Sequence, residues 1–503
     1  MKSRQLACVT ATTLFVLALP TQLAAQHTRY RLIEIGTFGD PTSYDDINGF
    51  GDQILNNSGV VSSHADTSVP DPSPQNCFQP DCFVNHAFRW HGGVLTDLGT
   101  LPGVDSSAAA AINARGWSVG QSQNGVIDPL LGTPEIRAVL WKDDQVIDLG
   151  TLGGNESLAA YVNDSGQVVG VAANAIPDPF SFIGWGTETR AFLWEKGVMQ
   201  DLGTLGGPDA IGDSGCRGNE PNGLVAGASY TNSTPNPATG IPTTDPFLWD
   251  NDTMTDLGTL GGTFGTAQCV NNRRQVIGQS NLAGDSTFHP FFWDRSVLTD
   301  MGTLGGDSGT ANWINDAGDA VGQADLPGSA VHHGFIWRRG VMTDLGTLGG
   351  NSYAAAITSK GQIVGSSELG VPTSTLPHAF LWEHGGPMID LNTLVPANSR
   401  LQLMTAFNIN DRGEIVGWGV PAGVQDPHFG GRLLLLIPCG GDEEGCNGDA
   451  VGTVPETQSD SAPVVNSPTT SVHRRPTPRE IVAAWRARWA QRYHIPGRGA
   501  SRD

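Results

Sequence analysis

Positive charge is what this chain has least of. Its 503 residues include 28 lysines and arginines against 50 aspartates and glutamates, a formal net charge of −22. The basic residues also gather at the ends. Lys2 and Arg4 open the chain, and Arg474, Arg475, Arg479, Arg486, Arg488, Arg492, Arg498 and Arg502 close it. An acidic body of this kind excludes nucleic acid as a ligand, because phosphates need cationic partners. Its ordinary use is solubility.

Long apolar runs are missing as well. Leu14 to Leu19 is too short to cross a bilayer. It follows Lys2 and Arg4 and ends at Leu23-Ala24-Ala25 before Gln26, the order of a cleaved secretory signal over 1–25. A buried N-terminal helix is the weaker alternative. The expectation is an exported, soluble protein, secreted, periplasmic or held at the cell surface. There is no nucleophile elbow, Gly-rich phosphate loop or His-Glu-x-x-His. Nor is there a Cys-x-x-Cys pair or a group of histidines. No catalytic residue, metal ligand or cofactor is therefore assigned.

Cysteine is scarce but even. Without Cys8 of the signal, six remain: Cys77, Cys82, Cys216, Cys269, Cys439 and Cys446. An even count in an exported chain points to disulfides. Cys77 and Cys82 share one loop, and Cys439 and Cys446 bracket a Gly- and acid-rich turn. That leaves Cys216 with Cys269, a bond whose formation depends on loop conformation.

What the chain has in abundance is one repeated phrase. A short apolar strand ends at Trp90, Trp141, Trp194, Trp249, Trp293, Trp337 and Trp382. Seven residues later, eight in the last copy, stand Asp97, Asp148, Asp201, Asp256, Asp300, Asp344 and Asp390, mostly in Asp-Leu-Gly-Thr-Leu-Gly-Gly. A period of 44 to 55 residues marks a repeat architecture. In 335–365 the pattern predicts four short strands: Phe335 to Trp337, Val341 to Leu345, Tyr353 to Ile357 and Gln362 to Gly365. Tight turns join them, and nothing is helical. Read this way, 335–365 is one antiparallel blade, apolar on both faces because it lies between two others. The turns Asn163-Asp164-Ser165-Gly166, Asn315-Asp316-Ala317-Gly318 and Asn410-Asp411-Arg412-Gly413 read as structural hairpins. Each has too few oxygens to hold Ca²⁺. Arg274 replaces the glycine in one copy, which should strain or reshape it.

Strand, phrase and turn each count to eight copies, including degenerate ones at Glu34 to Gly39 and Arg432 to Ile437. The chain enters at the second strand of a repeat and leaves after the first strand of another. Complementary ends of this kind suit a ring and have no use in an open array. The expected fold is all-β, an eight-bladed β-propeller of four-stranded antiparallel blades, closed by pairing 30–36 with 432–437. The expected organisation is 1–25 signal, 26–440 propeller, 441–478 flexible linker and 479–503 basic tail.

His86-Ala87-Phe88-Arg89-Trp90 and His378-Ala379-Phe380-Leu381-Trp382, with the Asp-Leu-Gly-Thr-Leu-Gly-Gly phrase, resemble the HAF-repeat family of extracellular proteins. The resemblance runs over nearly all of the chain between signal and tail. Arg190, Asp245 and Gly334 stand where the histidine would be. The resemblance implies an exported repeat protein and transfers no activity.

Length variation points to a face. From the glycine of one strand to the aromatic of the next, the gap is 19, 22 and 20 residues at Gly120, Gly170 and Gly227, and 13 at Gly278 and Gly322. The first copy is longest. All insertions fall at one connection, so 62–85, 121–136, 171–189 and 228–245 form a crescent of long loops on one face. Candidate ligand-binding residues there are Phe78, Phe83, Phe180, Phe182, Trp185 and Tyr230, as surfaces for sugar rings or peptide side chains. The alternative is that these aromatics pin their own loops. The recurring aspartates read as acceptors for their own turn N–H groups, and His86, His289, His333 and His378 as hydrogen-bonding groups at sheet edges.

The function expected is a monomeric, non-catalytic binding or adhesion scaffold for an extracellular glycan or protein. One alternative is a carbohydrate-active hydrolase or lyase using loop carboxylates such as Asp66, Asp71, Asp81, Asp128, Glu135, Asp178 or Glu188. The other is a purely structural surface protein. In the tail, Ile481, Val482, Trp485, Trp489 and Tyr493 at helical spacing predict a short basic amphipathic helix over 479–493. Its expected partners are a membrane surface or the acidic ring.

Overall fold

The computed structural model describes residues 28–44, 53–74, 76–103, 106–212, 223–370, 376–421, 424, 430–440, 446 and 476–492. The expected signal, most of the expected linker, Cys216 and residues beyond 492 lie outside the described residues. The regular secondary structure of the described residues is β-strand apart from one turn of 3-10 helix at Leu391–Thr393 and one α-helix at Pro478–Arg492.

The strands form as read, but they group differently. Phe335, Ile336 and Trp337 lie in His332–Arg338, which pairs with Ala320–Asp325 before it and Val341–Asp344 after it. The next strand, Ser352–Ile357, begins another sheet with Ile363–Ser367. The segment 335–365 is therefore two half-sheets, a correction to the blade expected there. The Gly-Thr-Leu-Gly-Gly stretch is a crossover that carries the chain from the last strand of one sheet to the first strand of the next.

Seven sheets are seen among the described residues. Six have four antiparallel strands. The seventh has eight, because Pro242–Asp250 and Gly261–Val270 join through one parallel bridge, Thr244 to Phe264. Eight separate four-stranded sheets were expected. The difference arises because Gly261–Val270 starts early, at the Gly-Gly, and so extends alongside its neighbour. As expected, Arg432–Pro438 pairs antiparallel with Tyr30–Glu34, from Tyr30 opposite Pro438 to Glu34 opposite Leu434. Successive sheets pack face to face, which is why strands such as Ser157–Val162 are buried on both faces. The Tyr30 sheet also packs on the Gly39–Tyr44 sheet, where Trp418 Nε1 donates to the Ser43 carbonyl at 2.9 Å.

One recurring glycine has a steric reason. Gly170 lies opposite Ala159, beside a bulge that leaves Ala160 unpaired. A Cβ there would stand 2.0 Å from the Leu158 carbonyl oxygen. Gly120, Gly278 and Gly322 meet equivalent carbonyls at the same distance.

The Asn-initiated turns are structural, as read, and they also interlock. Asn163 Oδ1 accepts from the Ser165 and Gln167 N–H groups at 3.0 Å. Asparagine amides then donate to the equivalent carbonyl of the next sheet: Asn56 to Asn113, Asn113 to Asn163, Asn271 to Asn315, and Asn410 to Asn56. The last of these links the two ends of the chain. Arg274 takes φ +64° and keeps the turn, its N–H donating to Asn271 O at 2.9 Å. The turn keeps its shape, and the strain falls on a non-glycine in the left-handed region.

Candidate functional site

The two halves of the repeated phrase meet across a hairpin. The Nδ1 of His86, His289, His333 and His378 lies 2.8, 2.9, 3.0 and 2.7 Å from the carboxylates of Asp97, Asp300, Asp344 and Asp390. Each of these carboxylates also accepts the turn N–H two residues on, at 2.7 to 2.9 Å. Burial alone would raise the Asp97 carboxyl. The hydrogen bonds from His86 and Gly99, and the His86 charge, hold it below its ordinary value. Asp300 and Asp390 are lowered in the same way. The aspartates are thus turn acceptors, as read, and histidine is their second donor. Gly334 is a correction: His333 holds the histidine position, and Gly334 stands where Ala87 and Ala379 stand elsewhere. Asp245 is a true departure. Burial, and then the charge of Asp256, push its carboxyl up to about 6.

The long loops are held from within. Asp71 accepts the N–H groups of Ser73 and Phe78, Asp128 those of Leu130 and Leu131, Asp178 that of Phe180, and Asn236 that of Ala238. The first loop is also closed by the Cys77–Cys82 disulfide; Cys439–Cys446 forms too. Cys269 is disulfide-bonded and buried.

Four of the six aromatic candidates are buried. Phe78, Phe182, Trp185 and Tyr230 are 4%, 1%, 2% and 0% exposed. Phe83 and Phe180 are half-buried. Phe182 stacks on Tyr230 at 4.7 Å, and the Tyr230 hydroxyl donates to the Phe180 carbonyl at 2.9 Å. Burying rings this large stabilises the long loops that fold over them. The exposed ligand-stacking role expected for Phe78, Phe182, Trp185 and Tyr230 is corrected accordingly: these four pin the loops. What the loops expose is aliphatic. Val69, Val126, Ile127, Leu130 and Ile176 are 51 to 66% exposed, near the ends of three consecutive hairpins.

Two carboxyl pairs sit beneath these loops. Glu156 accepts the Ile136 N–H at 2.7 Å beside Asp128, and Asp209 accepts the N–H groups of Thr189 and Phe182 beside Asp178. Burial pushes the Glu156 and Asp209 carboxyls up to about 8; the N–H donors work against it, and the neighbouring aspartate works with it. All four residues are buried, closed off from a substrate. Among the described residues no group of three or more His, Cys, Asp or Glu could hold a metal ion.

The tail helix lies on this surface. Thr477 and Glu480 cap its start reciprocally, with Pro478 in the first turn. Ile481, Val482 and Trp485 are buried. The Trp485 ring meets Phe182 at 5.0 Å and Phe264 at 5.4 Å. Arg486 donates to the carbonyls of Ser181 and Phe182 at 2.7 and 3.0 Å, and Arg479 to Pro237 at 3.4 Å. The helix contacts the long loops through aromatic rings and main-chain carbonyls, with no ion pair to their acids among the described residues. No described helix is long and apolar enough to cross a membrane.

No protein-family model matches the chain, and no curated protein matches it in sequence. Among solved structures it is similar to the acylaminoacyl peptidase of Pyrococcus horikoshii, at 11% identity and TM-score 0.38, over 76% of this chain and 60% of that one. It is similar to dipeptidyl peptidase 4 of Porphyromonas gingivalis at 10% and 0.43, over 77% and 61%. A third similarity is to TolB from Acinetobacter baumannii at 10% and 0.30, over 64% and 80%. The chain spans about three fifths of the length of the two peptidases. Likeness at this level carries no argument about activity.

Proposed function

We propose that this is an exported, closed eight-bladed β-propeller of the HAF-repeat kind, acting as a non-catalytic binding scaffold for an extracellular protein. Two features support the ring: the eight-stranded sheet divides into two four-stranded units at its single parallel bridge, and the chain ends share a sheet. Two disulfides suit an oxidising compartment. The observation that carries the function is the crest of exposed aliphatic residues on consecutive, internally braced loops. Apolar surface of this kind on rigid loops marks a protein contact more than a sugar platform, which needs exposed rings. The test is a peptide, protein and glycan array run beside a hydrolysis screen. Binding to protein probes without turnover, lost in an Ile127→Asp/Leu130→Asp double variant that melts normally, is expected. Turnover abolished by one carboxylate change, or binding indifferent to the double variant, would sink the reading.

A further inference from the structure

The short-loop repeats leave open what the long loops cover. Between the sheets containing Phe288–Asp294 and Gly309–Ile314 lies a cavity of about 270 Å³. Phe288 lines it as an apolar wall. Its polar lining includes Ser308, Thr310, Gln323, Ser329 and His332. Thr310 and Gln323 are cross-strand partners, so their side chains meet on one face. Thr310 is 6% exposed, and its hydroxyl has no hydrogen-bond partner. A buried hydroxyl left open is destabilising unless something fills its capacity.

The lining also says what cannot fill it. No lysine or arginine lines the cavity, while Asp307 and Asp325 do, which disfavours an anion. Asp325 accepts the Ser308 N–H at 3.1 Å, and the Asp307 main-chain N–H donates to Ser329 Oγ at 2.9 Å. Burial first, and then His333, hold His332 below its ordinary value against the pull of Glu368. The volume is at the small end of ligand pockets, which run about 300–1,000 Å³. An apolar wall facing hydroxyl, amide and imidazole groups that both donate and accept matches one neutral, hydroxyl-rich ring.

We infer that this cavity is a binding site for a single neutral sugar ring, with Phe288 under its apolar face and Thr310, Gln323 and His332 on its hydroxyls. The site is separate from the aliphatic crest and goes beyond the binding role proposed there. Pro476, just before the tail helix, stands at its rim, so the tail that rests on the long loops also reaches the sugar site.

The experiment uses the full chain. Saturation-transfer NMR and calorimetry are run with methyl glucoside, galactoside, mannoside and N-acetylglucosaminide. Matching tetrasaccharides distinguish a free sugar from the end of a glycan. Saturable binding of at least one methyl glycoside is expected. Thr310→Val, which removes a hydroxyl at constant shape, should weaken it about tenfold, the loss of one buried hydrogen bond. His332→Phe should weaken it as well, with the melting temperature of both variants near that of the parent. No saturable binding by the parent, or equal binding by both variants, would overturn the site. Tighter binding of putrescine or inorganic phosphate would overturn its assignment to a neutral ligand.

Discussion

The hairpins of 61–91, 118–142, 168–195 and 225–250 occupy the same place in the repeat as those of 276–294 and 320–338, yet they end differently. The long ones fold back on themselves, bury Phe182, Trp185 and Tyr230, and carry the tail helix. The short ones stop at the sheet and leave a cavity lined by Thr310 and His332. One scaffold thus makes two kinds of surface by changing one connection. The lesson concerns aromatic residues. In a long loop over a rigid sheet, an aromatic is first the loop's own core, and only what remains outside can meet a partner.

The sharpest way to break this comparison is to remove the core of a long loop. Trp185→Ala should cost about 3–5 kcal/mol. Chemical denaturation would report the loss, and a change of under about 1 kcal/mol would mean that the loops are not braced from within. Trp485→Ala should release the tail helix while the sheets persist. Limited proteolysis should then cut within 476–492 faster than in the parent; an unchanged rate would count against docking through Trp485. Opening the first loop comes next. Cys77→Ser should destabilise by about 2 kcal/mol, the effect of a short closed loop, with no comparable effect in a reducing buffer that has already opened the bond.

The buried carboxyls predict a sign. The Glu156 and Asp209 pKa values lie near 8 when folded and near about 4 when unfolded. Between those values the folded chain keeps protons that the unfolded chain has lost, so these two groups make stability fall as pH rises from about 4 to 8. Asp97, Asp300 and Asp390 act oppositely: their contribution is present above the ordinary carboxylate range and is lost as pH falls below it. Asp209→Asn should flatten the slope between pH 5 and 8 in melting curves, and a slope equal to the parent's would remove Asp209 as its source. The smallest effect is a gain. Arg274→Gly relieves a left-handed non-glycine worth about 1 kcal/mol, less a partly exposed ion pair to Asp250. A modest rise in melting temperature is the expected result.

Much of this was legible because repeats print their constraints many times. The pairing of Tyr30–Glu34 with Arg432–Pro438 followed from the complementary ends, and the turn role of the aspartates from Asp-Leu-Gly. The phase was misread, because Gly-Thr-Leu-Gly-Gly has the composition of a hairpin and the geometry of a crossover. The histidine–aspartate pairs were half legible: both residues recur, but a separation of 11 or 12 residues becomes a contact only when the two strands share a hairpin. Burial of Phe182 and Tyr230 left no local signal, since a loop aromatic has the same sequence whether it points out or in.

Local rules thus decided the strands, the turns, the bulge glycines and the way the ends meet, because each depends on backbone sterics or hydrogen bonds within a few residues or on a period repeated along the chain. The tertiary structure decided the rest: which strands share a sheet, the asparagine links from turn to turn, the face on which Trp485 rests and the cavity beside Thr310. These depend on groups brought together from distant parts of the chain, and their free energy comes from burial and from hydrogen bonds that exist only once the sheets have packed.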